Sequence, residues 1–352
     1  MEGRKLLGCV YAGCPQARLN PGNRAMLEKL CFVDLEFFLR FEKPATISPS
    51  MAGSMLRGAF GSQLRRIVCF DTRTRCLDCQ MRLNCAYEKI FAPHVSPAAH
   101  RLRKERDLPR GFVLKPPLSG AVYGPERLFA FRMILVGELI GWFPYIVVPF
   151  NELGRVGIGR DRTPFQLEQI VSLGLNQGPR AHIYSKAENL VHADRMIRVG
   201  FNDLARRAQP MNKEAVTLKF LTPTVLRYNA TGRPGESETI RVPEFHVLIK
   251  RLRDRVNRLA TVYCGEELSI DYRAFGERAE KVKTEKVNGR WTERARKTRD
   301  GRAHNLSGFT GEVSFTGPTG EFLPLILLGQ YIHAGKNAVF GNGWYEVLYD
   351  RC

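Results

Sequence analysis

The residues best suited to chemistry lie near the C-terminus, where a histidine and a lysine border a glycine-rich segment. This segment, residues 335–343, reads GKNAVFGNG, with Lys336 inside it and His333 just before it. A histidine transfers protons near neutral pH, and a lysine ammonium stabilises negative charge developing on a phosphate group. The pattern predicts His333 and Lys336 as catalytic residues acting on a phosphodiester. The alternative for His333 is a histidine that only caps the end of a helix.

The glycines of the same segment favour a binding site for a sugar-phosphate chain. Gly335, Gly341 and Gly343 can adopt a positive φ and permit close approach to the backbone. Successive N–H groups in such a loop form a concave site for anions. The spacing fits neither a GxxxxGK[ST] phosphate loop nor a dinucleotide fingerprint, because the segment follows a predicted helix and precedes a predicted strand. A tight connection between helix and strand explains the glycines equally well.

Two further residues are weaker candidates for catalysis. Arg57 is the most suggestive polar side chain of a predicted helix at residues 50–68, where it either binds phosphate or is simply solvated. His304 lies in a basic segment just before a predicted strand. Of the other five histidines, His94 and His100 are predicted to lie in a loop after the cysteines. The remaining three are predicted to be structural or solvent-facing: His182, His192 and His246.

Four of the nine cysteines lie close together in the sequence: Cys69, Cys76, Cys79 and Cys85. A CxxC pair with two flanking cysteines can surround one tetrahedral zinc ion. Because all four ligands would be thiolates, the predicted zinc is structural, with no open position for water. The alternatives are free thiols in a small loop and, less favoured, an iron–sulfur cluster.

The net charge predicts a polyanionic partner. The chain has 54 Lys and Arg against 35 Asp and Glu, a formal charge of +19, and such a surface attracts nucleic acid. An acidic membrane surface or an acidic protein is the alternative. The basic run at 273–302, which contains a tryptophan able to stack on a base, is either an RNA contact or a mobile, solvated loop. Outside the glycine-rich segment, the predicted RNA contacts are Arg155, Arg160, Arg251, Arg255, Lys297 and Trp291.

The elements that must position these residues occur twice in one order. The first half predicts strands at 31–41, 111–115, 128–136 and 164–173, and helices at 50–68 and 138–153, the second bent at Pro144. This β-α-β-β-α-β order is that of a ferredoxin-like unit. The second half predicts strands at 215–221, 311–315 and 344–349 and helices at 242–263 and 322–333, which indicates an internal repeat.

The predicted fold class is α+β, with two tandem ferredoxin-like, RRM-like βαββαβ modules and a cysteine-rich insertion. The predicted divisions are a flexible arm at 1–29, a first module at 30–175 with the insertion at 69–110, a linker with decorations at 176–213, and a second module at 214–352. The apolar run at 128–150 is interrupted by Arg132 and Glu138, so no membrane span is expected. The N-terminus does not have the pattern of a secretory signal, which predicts a cytoplasmic protein.

Several segments together resemble one known family. The C-terminal sequence GFTGEVSFTGPTGEFLPLILLGQYIHAGKNAVFGNGWYEV closely resembles the terminal signature of the CRISPR repeat-processing endoribonucleases of the RAMP superfamily. The likeness extends to MLRGAFG at 55–61, FVLKPP at 112–117, LFAFRMILVGELIGWFPY with the GRVGIGR loop after it, and LKFLTP at 218–223. It covers most of residues 31–350.

This resemblance implies a metal-independent cut within the repeat of a CRISPR transcript. The ribose 2′-OH attacks the adjacent phosphate and leaves a 2′,3′-cyclic phosphate and a 5′-OH. Many members have a general-base histidine beside the first helix, but residues 46–66 contain none. That departure favours an alternative hypothesis, a RAMP subunit that holds guide RNA in an effector complex without cutting it. The implied partners are repeat RNA or crRNA and other CRISPR effector subunits, with no cofactor for catalysis.

Overall fold

The computed structural model describes residues 27–93, 108–175, 178–231, 233, 235–297 and 303–349. His94 and His100 lie outside these residues, as does most of the predicted N-terminal arm. None of the helices in the described part of the chain has the length and apolar character needed to cross a bilayer.

The first module confirms the predicted β-α-β-β-α-β order. Its strands and helices are β1 Cys31–Phe41, β2 Ala45–Ile47, α1 Pro49–Val68, α2 Ala86–Phe91, β3 Phe112–Lys115, β4 Ala121–Tyr123, β5 Phe129–Val136, α3 Pro144–Val156 and β6 Phe165–Leu173. The antiparallel sheet has the order β3-β5-β1-β6, which is the ferredoxin-like arrangement, while β2 and β4 form a separate pair. The bounds of β1 are those predicted, because its apolar alternation continues along the whole strand.

The helix predicted at 138–153 begins later in the structure than the sequence predicted. Residues Gly137–Trp142 form a 3-10 turn, and the α-helix begins at Pro144 and continues past Pro149. Proline at the first helical position has no unsatisfied N–H, so it starts this helix and does not bend it. The prediction of a bend at Pro144 was therefore wrong.

The segment predicted as a linker with decorations supplies further strands to the first sheet. They are β7 Arg180–Ser185, β8 Leu190–Val191 and β9 Arg198–Gly200, and they precede α4 Phe201–Ala208. β7 pairs with β6, β8 pairs with β7, and β9 pairs with the free end of β1. The first sheet therefore has seven strands, and the predicted module boundaries stay predictions.

The second module repeats the ferredoxin-like order, with several strands that the sequence did not predict. Its elements are β10 Ala215–Thr224, β11 Leu226–Tyr228, β12 Glu238–Ile240, α5 Phe245–Tyr263, α6 Tyr272–Ala279, β13 Lys283–Thr292, β14 Ala295–Lys297, β15 Ala303–Asn305, β16 Gly308–Thr316, α7 Leu323–Ile332 and β17 Tyr345–Leu348. The antiparallel sheet has the order β13-β16-β10-β17. The sequence did not predict β13 of this main sheet or the short strands β11, β12, β14 and β15. β13 was interpreted as a basic run because most of its residues are exposed, which leaves no apolar alternation to detect.

One continuous apolar core joins the two modules. At their junction the ring of Phe32 in β1 lies 4.7 Å from that of Tyr331 in α7. The last residues of the predicted arm also contribute: Leu27 is completely buried, and the N–H groups of Glu28 and Lys29 donate to the Glu266 carboxylate at 2.7 and 2.9 Å. Leu27 thus belongs to the core, although the sequence predicted a flexible arm at 1–29.

Candidate functional site

The N-terminal half of α1 contacts the glycine-rich loops of both modules. The first loop is the GRVGIGR segment at 154–160, and the second loop is the GKNAVFGNG segment at 335–343. A side-chain carbon added to Gly53 would overlap the carbonyl oxygen of Phe340, in the second loop. Two residues further along α1, Met55 approaches the first loop, since a carbon added to Gly159 would lie 3.8 Å from its sulfur. The absence of a Cβ at Gly53 allows the second loop to lie directly on the helix. The structure therefore brings the two loops to one helix.

Arg57 lies at this junction, one turn after Gly53. Its guanidinium carbon is 4.6 Å from the ring centroid of Phe340 and 5.7 Å from that of Phe91. The aromatic faces attract the planar cation and hold it beside the second loop. Lys336 lies in the same loop with an exposed side chain, and its backbone N–H donates to the carbonyl of Val225 at 3.3 Å. Arg57 thus contacts the loop that contains Lys336.

Backbone conformation and close packing, and not the predicted anion site, account for the glycines of the second loop. Gly335, Gly341 and Gly343 all have positive φ, and added carbons would overlap Val225, Pro116 and Ala334 respectively. The loop amides donate to protein carbonyl groups, namely Lys336 to Val225, Phe340 and Asn342 to Asn337, Gly341 to Ala338, and Gly343 to Pro223. An amide that already donates to a carbonyl cannot hold a phosphate, so the predicted concave anion site was wrong for these amides.

His333 is completely buried at the end of α7. Its Nδ1 lies 3.0 Å from the carbonyl oxygen of Asn342 and must donate, because a carbonyl only accepts. The ring stacks on Trp344 with centroids 6.1 Å apart and planes 4° from parallel. Burial, with the nearby charges of Lys115 and Arg255, holds the pKa of His333 well below its usual range. A neutral, buried ring cannot exchange protons with RNA in this conformation, so His333 fits the predicted helix-end alternative better.

Lys115, at the end of β3, is a residue that the sequence analysis missed. It is 5% exposed, and its Nζ lies 4.8 Å from the ring centroid of Tyr331 and 5.0 Å from that of Trp344. Burial and the charge of Arg132 lower the pKa of Lys115 to about 7, against an opposing effect of Asp34. The available signal was a lysine within the otherwise apolar strand FVLK. This lysine lies where the first module meets α7 and the residue after the glycine-rich loop.

Replacing Lys115 with methionine is expected to raise stability most at low pH. The pKa of Lys115 is about 7 in the folded protein against the ordinary 10.5 when unfolded, so the unfolded chain binds more protons between these values. The contribution of Lys115 to the free energy of unfolding therefore rises with pH across that window, by up to about 1.4 kcal/mol per unit, and the substitution Lys115→Met removes this rise.

Urea unfolding of both proteins at pH 6, 8 and 9.5 measures the effect. The exposed Lys43→Met serves as control and should leave the pH dependence unchanged. If the free energy of unfolding changed with pH in the same way for the wild type and Lys115→Met, a buried, readily deprotonated Lys115 would be contradicted.

The other predicted basic contacts fall into two groups. Arg155, in the last turn of α3, and Arg160, on the loop after it, are both exposed, and Arg155 lies 3.4 Å from the Glu152 carboxylate. On α5, Arg251 pairs with Asp254 at 3.4 Å, and Arg255 Nε donates to the carbonyl of Ile332 at 2.9 Å. Burial lowers the pKa of Arg255 to about 10. Arg255 thus holds the last turn of α7, whereas Arg155 and Arg160 are exposed.

The remaining predicted residues lie on or near the hairpin of β14 and β15. The side chains of Lys297 and His304 lie outside the described residues. Trp291, at the end of β13, is half-buried, and the guanidinium carbon of Arg241 lies 4.7 Å from its ring centroid. This pair borders an open cleft away from α1.

The four clustered cysteines do not form a metal site in this structure. They lie in the short turns between α1 and α2, and the Cys69 thiol donates to the carbonyl of Asp71 at 3.2 Å. Within the described part of the chain, no three His, Cys, Asp or Glu side chains are grouped closely enough to hold a metal ion. The predicted zinc site at Cys69, Cys76, Cys79 and Cys85 therefore has no geometric support and stays a prediction.

The comparisons with known proteins agree with this architecture. Residues 218–345 match the family described as CRISPR-associated endoribonuclease Cas6, and residues 30–196 match a family described as an N-terminal domain. An uncharacterised protein from Archaeoglobus fulgidus is 22% identical over 312 residues, which is 85% of this chain and 92% of that protein.

Solved structures show the same fold. A Cas6 product complex aligns with a TM-score of 0.53 and 17% identity over 90% of this chain and 100% of that chain. Thermus thermophilus Cas6 aligns with a TM-score of 0.50 and 16% identity over 91% and 99%. A partial Cas6-RT-Cas1–Cas2 complex gives 0.54 and 12% over 91% of this chain but 46% of that longer chain.

The chain has paired ferredoxin-like modules, the second with a glycine-rich loop before its last strand. Residues 218–345 of this chain thus match the model of the Cas6 endoribonuclease family, and its fold is similar to that of solved Cas6 proteins.

Proposed function

We propose that this protein is a metal-independent endoribonuclease that cuts precursor CRISPR RNA once within each repeat. The observation that carries the proposal is the contact between α1 and the second glycine-rich loop, in which Arg57 packs against Phe340 of the loop that contains Lys336. The match of the C-terminal module to the Cas6 family and the net charge of +19 support it. Repeat RNA is the proposed substrate, and crRNA and other CRISPR proteins are the proposed partners.

The proposed reaction uses a nucleophile that the RNA already contains. The ribose 2′-OH gives its proton to solvent water or hydroxide and attacks the adjacent phosphorus, the P–O5′ bond breaks, and the 5′ oxygen takes up a proton from Lys336 or from water. The products are a 2′,3′-cyclic phosphate and a 5′-OH. Because no water has to be activated, the protein needs only to align the reacting atoms and stabilise the charge of the pentacoordinate phosphorane.

We assign the charge stabilisation to Lys336 and Arg57. Lys336 has an exposed ammonium on the loop, and it can also give a proton to the leaving 5′ oxygen. Arg57 presents a planar guanidinium that suits two oxygens of one phosphate. His333 acts at a distance as a positioning residue, since its Nδ1 holds the backbone of Asn342 within the loop.

A non-cleaving RAMP subunit that retains guide RNA is the second candidate. The sequence favours it at one point, because residues 46–66 contain no histidine to act as a general base. Such a subunit would use the same cationic surface for binding alone.

One assay separates the two functions. The purified protein is incubated in EDTA with repeat RNA, and with the same RNA carrying a single 2′-deoxyribose at the cut site. We expect the ribose substrate to be cut and the deoxy substrate to be bound but left intact, since the nucleophile is missing. Cleavage lost in EDTA and restored by a divalent ion would contradict metal independence, and tight binding without cleavage would identify the non-cleaving subunit.

A further inference from the structure

The second module contains an open cleft that the proposed reaction does not use. Its volume is about 670 Å³, and it lies between β12, the end of β13 and the β14–β15 hairpin. Its lining residues are Thr239, Arg241, Trp291, Glu293, Arg294, Ala295, Asn305 and Ser307. The set combines one large aromatic ring with side chains that donate and accept hydrogen bonds, which is the composition of a site for a planar polar ligand.

The aromatic side of the cleft is built for stacking. Trp291 packs partly against the apolar core, which fixes its ring, and the guanidinium of Arg241 lies over that ring at 4.7 Å. An indole and a guanidinium both stack on nucleic-acid bases, and single-stranded RNA is commonly held in this way. A base placed here would stack on the planar cation, which itself lies over the indole.

The polar side of the cleft is suited to one base in particular. The Glu293 carboxylate is an acceptor only. Asn305 Oδ1 accepts from the Ser307 N–H at 2.8 Å, which turns the amide NH₂ of Asn305 into a donor for a ligand. Guanine is the RNA base with two adjacent donors, N1–H and the N2 amino group, beside an acceptor, O6. The carboxylate can accept from both donors while Asn305 or Arg294 donates to O6.

The cleft is joined to the glycine-rich loop by hydrogen bonds. Leu306 lies between Asn305 and Ser307, and its N–H donates to the carbonyl of Arg294 at 2.9 Å. Its carbonyl accepts from Nδ2 of Asn342, in the loop, at 3.2 Å. One residue thus connects the wall of the cleft to the loop that contains Lys336.

We propose that this cleft binds an unpaired guanine of the RNA, with Trp291 and Arg241 stacking on the base and Glu293 determining its identity. The inference rests on the proposed function, because it takes RNA as the ligand. It assigns a specificity-determining site separate from Lys336 and Arg57.

Binding of short RNAs tests the proposal without any cleavage. The probes are fluorescein-labelled hexanucleotides UUGUUU, UUAUUU, UUCUUU, UUUUUU and UUIUUU, in which inosine lacks the N2 amino group, measured by fluorescence anisotropy. We expect UUGUUU to bind about tenfold more tightly than the others, the effect of about one good base-specific contact. Equal affinities for all five probes would overturn the proposal.

The variants separate stacking from base identity. Glu293→Gln should abolish the preference for UUGUUU and leave the affinity for UUUUUU unchanged, whereas Trp291→Ala should weaken UUGUUU binding about tenfold. Trp142→Ala, on the other module, is the matched control and should change neither. Trp291→Phe, which keeps an aromatic ring, serves if the alanine variant does not fold. Guanine preference retained in Glu293→Gln would refute the assignment, and so would equal losses of UUGUUU affinity in Trp291→Ala and Trp142→Ala.

This test also distinguishes the cleft from the catalytic proposal. A protein that prefers guanine but leaves repeat RNA intact in EDTA would keep the cleft and overturn the endoribonuclease. A protein that cuts repeat RNA without any guanine preference would do the reverse.

Discussion

Replacing Lys336 with alanine is expected to slow single-turnover cleavage of repeat RNA about 100-fold while the affinity for RNA changes by less than about threefold. The exposed ammonium lies on the loop that contacts α1, where we place the scissile phosphate. Its charge matters most when the phosphorane forms, because the phosphate then carries more negative charge than in the bound substrate. The rate therefore falls more than the binding.

Arg57→Ala should slow cleavage by a similar factor, and the double variant by less than the product of the two. Both cations act on one phosphate, and residues that act as a unit have non-additive effects. Arg57→Lys should recover only part of the rate, since an ammonium cannot reproduce the planar guanidinium held between Phe340 and Phe91.

Rapid mixing with excess enzyme and labelled RNA measures these rates. Lys186→Ala provides a matched control, because Lys186 lies beyond the end of β7 at the far side of the first sheet and bonds to Gln166. Wild-type rates in Lys336→Ala, or an equal loss in Lys186→Ala, would remove the glycine-rich loop from the active site.

Gly53→Ala is expected to destabilise the protein by about 1 to 3 kcal/mol and to abolish most cleavage. The new methyl group would overlap the carbonyl oxygen of Phe340, and backbone cannot move aside as a flexible side chain does. Either α1 or the loop must shift, so Arg57 separates from the surface that contains Lys336. An alanine normally stabilises a helix relative to glycine, so a loss here measures the contact itself.

Gly58→Ala is the matched control on the same helix. Gly58 is exposed and nothing lies within 4 Å of its added carbon, so this variant should gain up to about 1 kcal/mol and keep its activity. Urea unfolding and single-turnover cleavage of both variants make the comparison. If Gly53→Ala were as stable and active as Gly58→Ala, the close contact between helix and loop would be contradicted.

Much of the architecture is local in origin and could be predicted. Apolar alternation in β1 and the apolar stripe of α5 indicate directly which face is buried, so both elements were predicted from the sequence. β13 was not predicted as a strand, because an edge strand with exposed residues has no apolar alternation. A proline can either bend a helix or begin one. The sequence alone did not show that α3 begins at Pro144, because this depends on the turn before it.

The site depended far more on tertiary structure. The sequence by itself determined the cationic character of the chain, the two ferredoxin-like modules and the candidates Arg57 and Lys336, because composition and short-range pattern encode these properties. Only the tertiary structure decided that His333 is buried against Trp344, that the loop amides already donate to carbonyl groups, and that Lys115 lies between aromatic rings. The physical reason is that burial and hydrogen-bond partners depend on segments far apart in the chain, and the contact of Gly53 with Phe340 leaves no periodic trace in either segment.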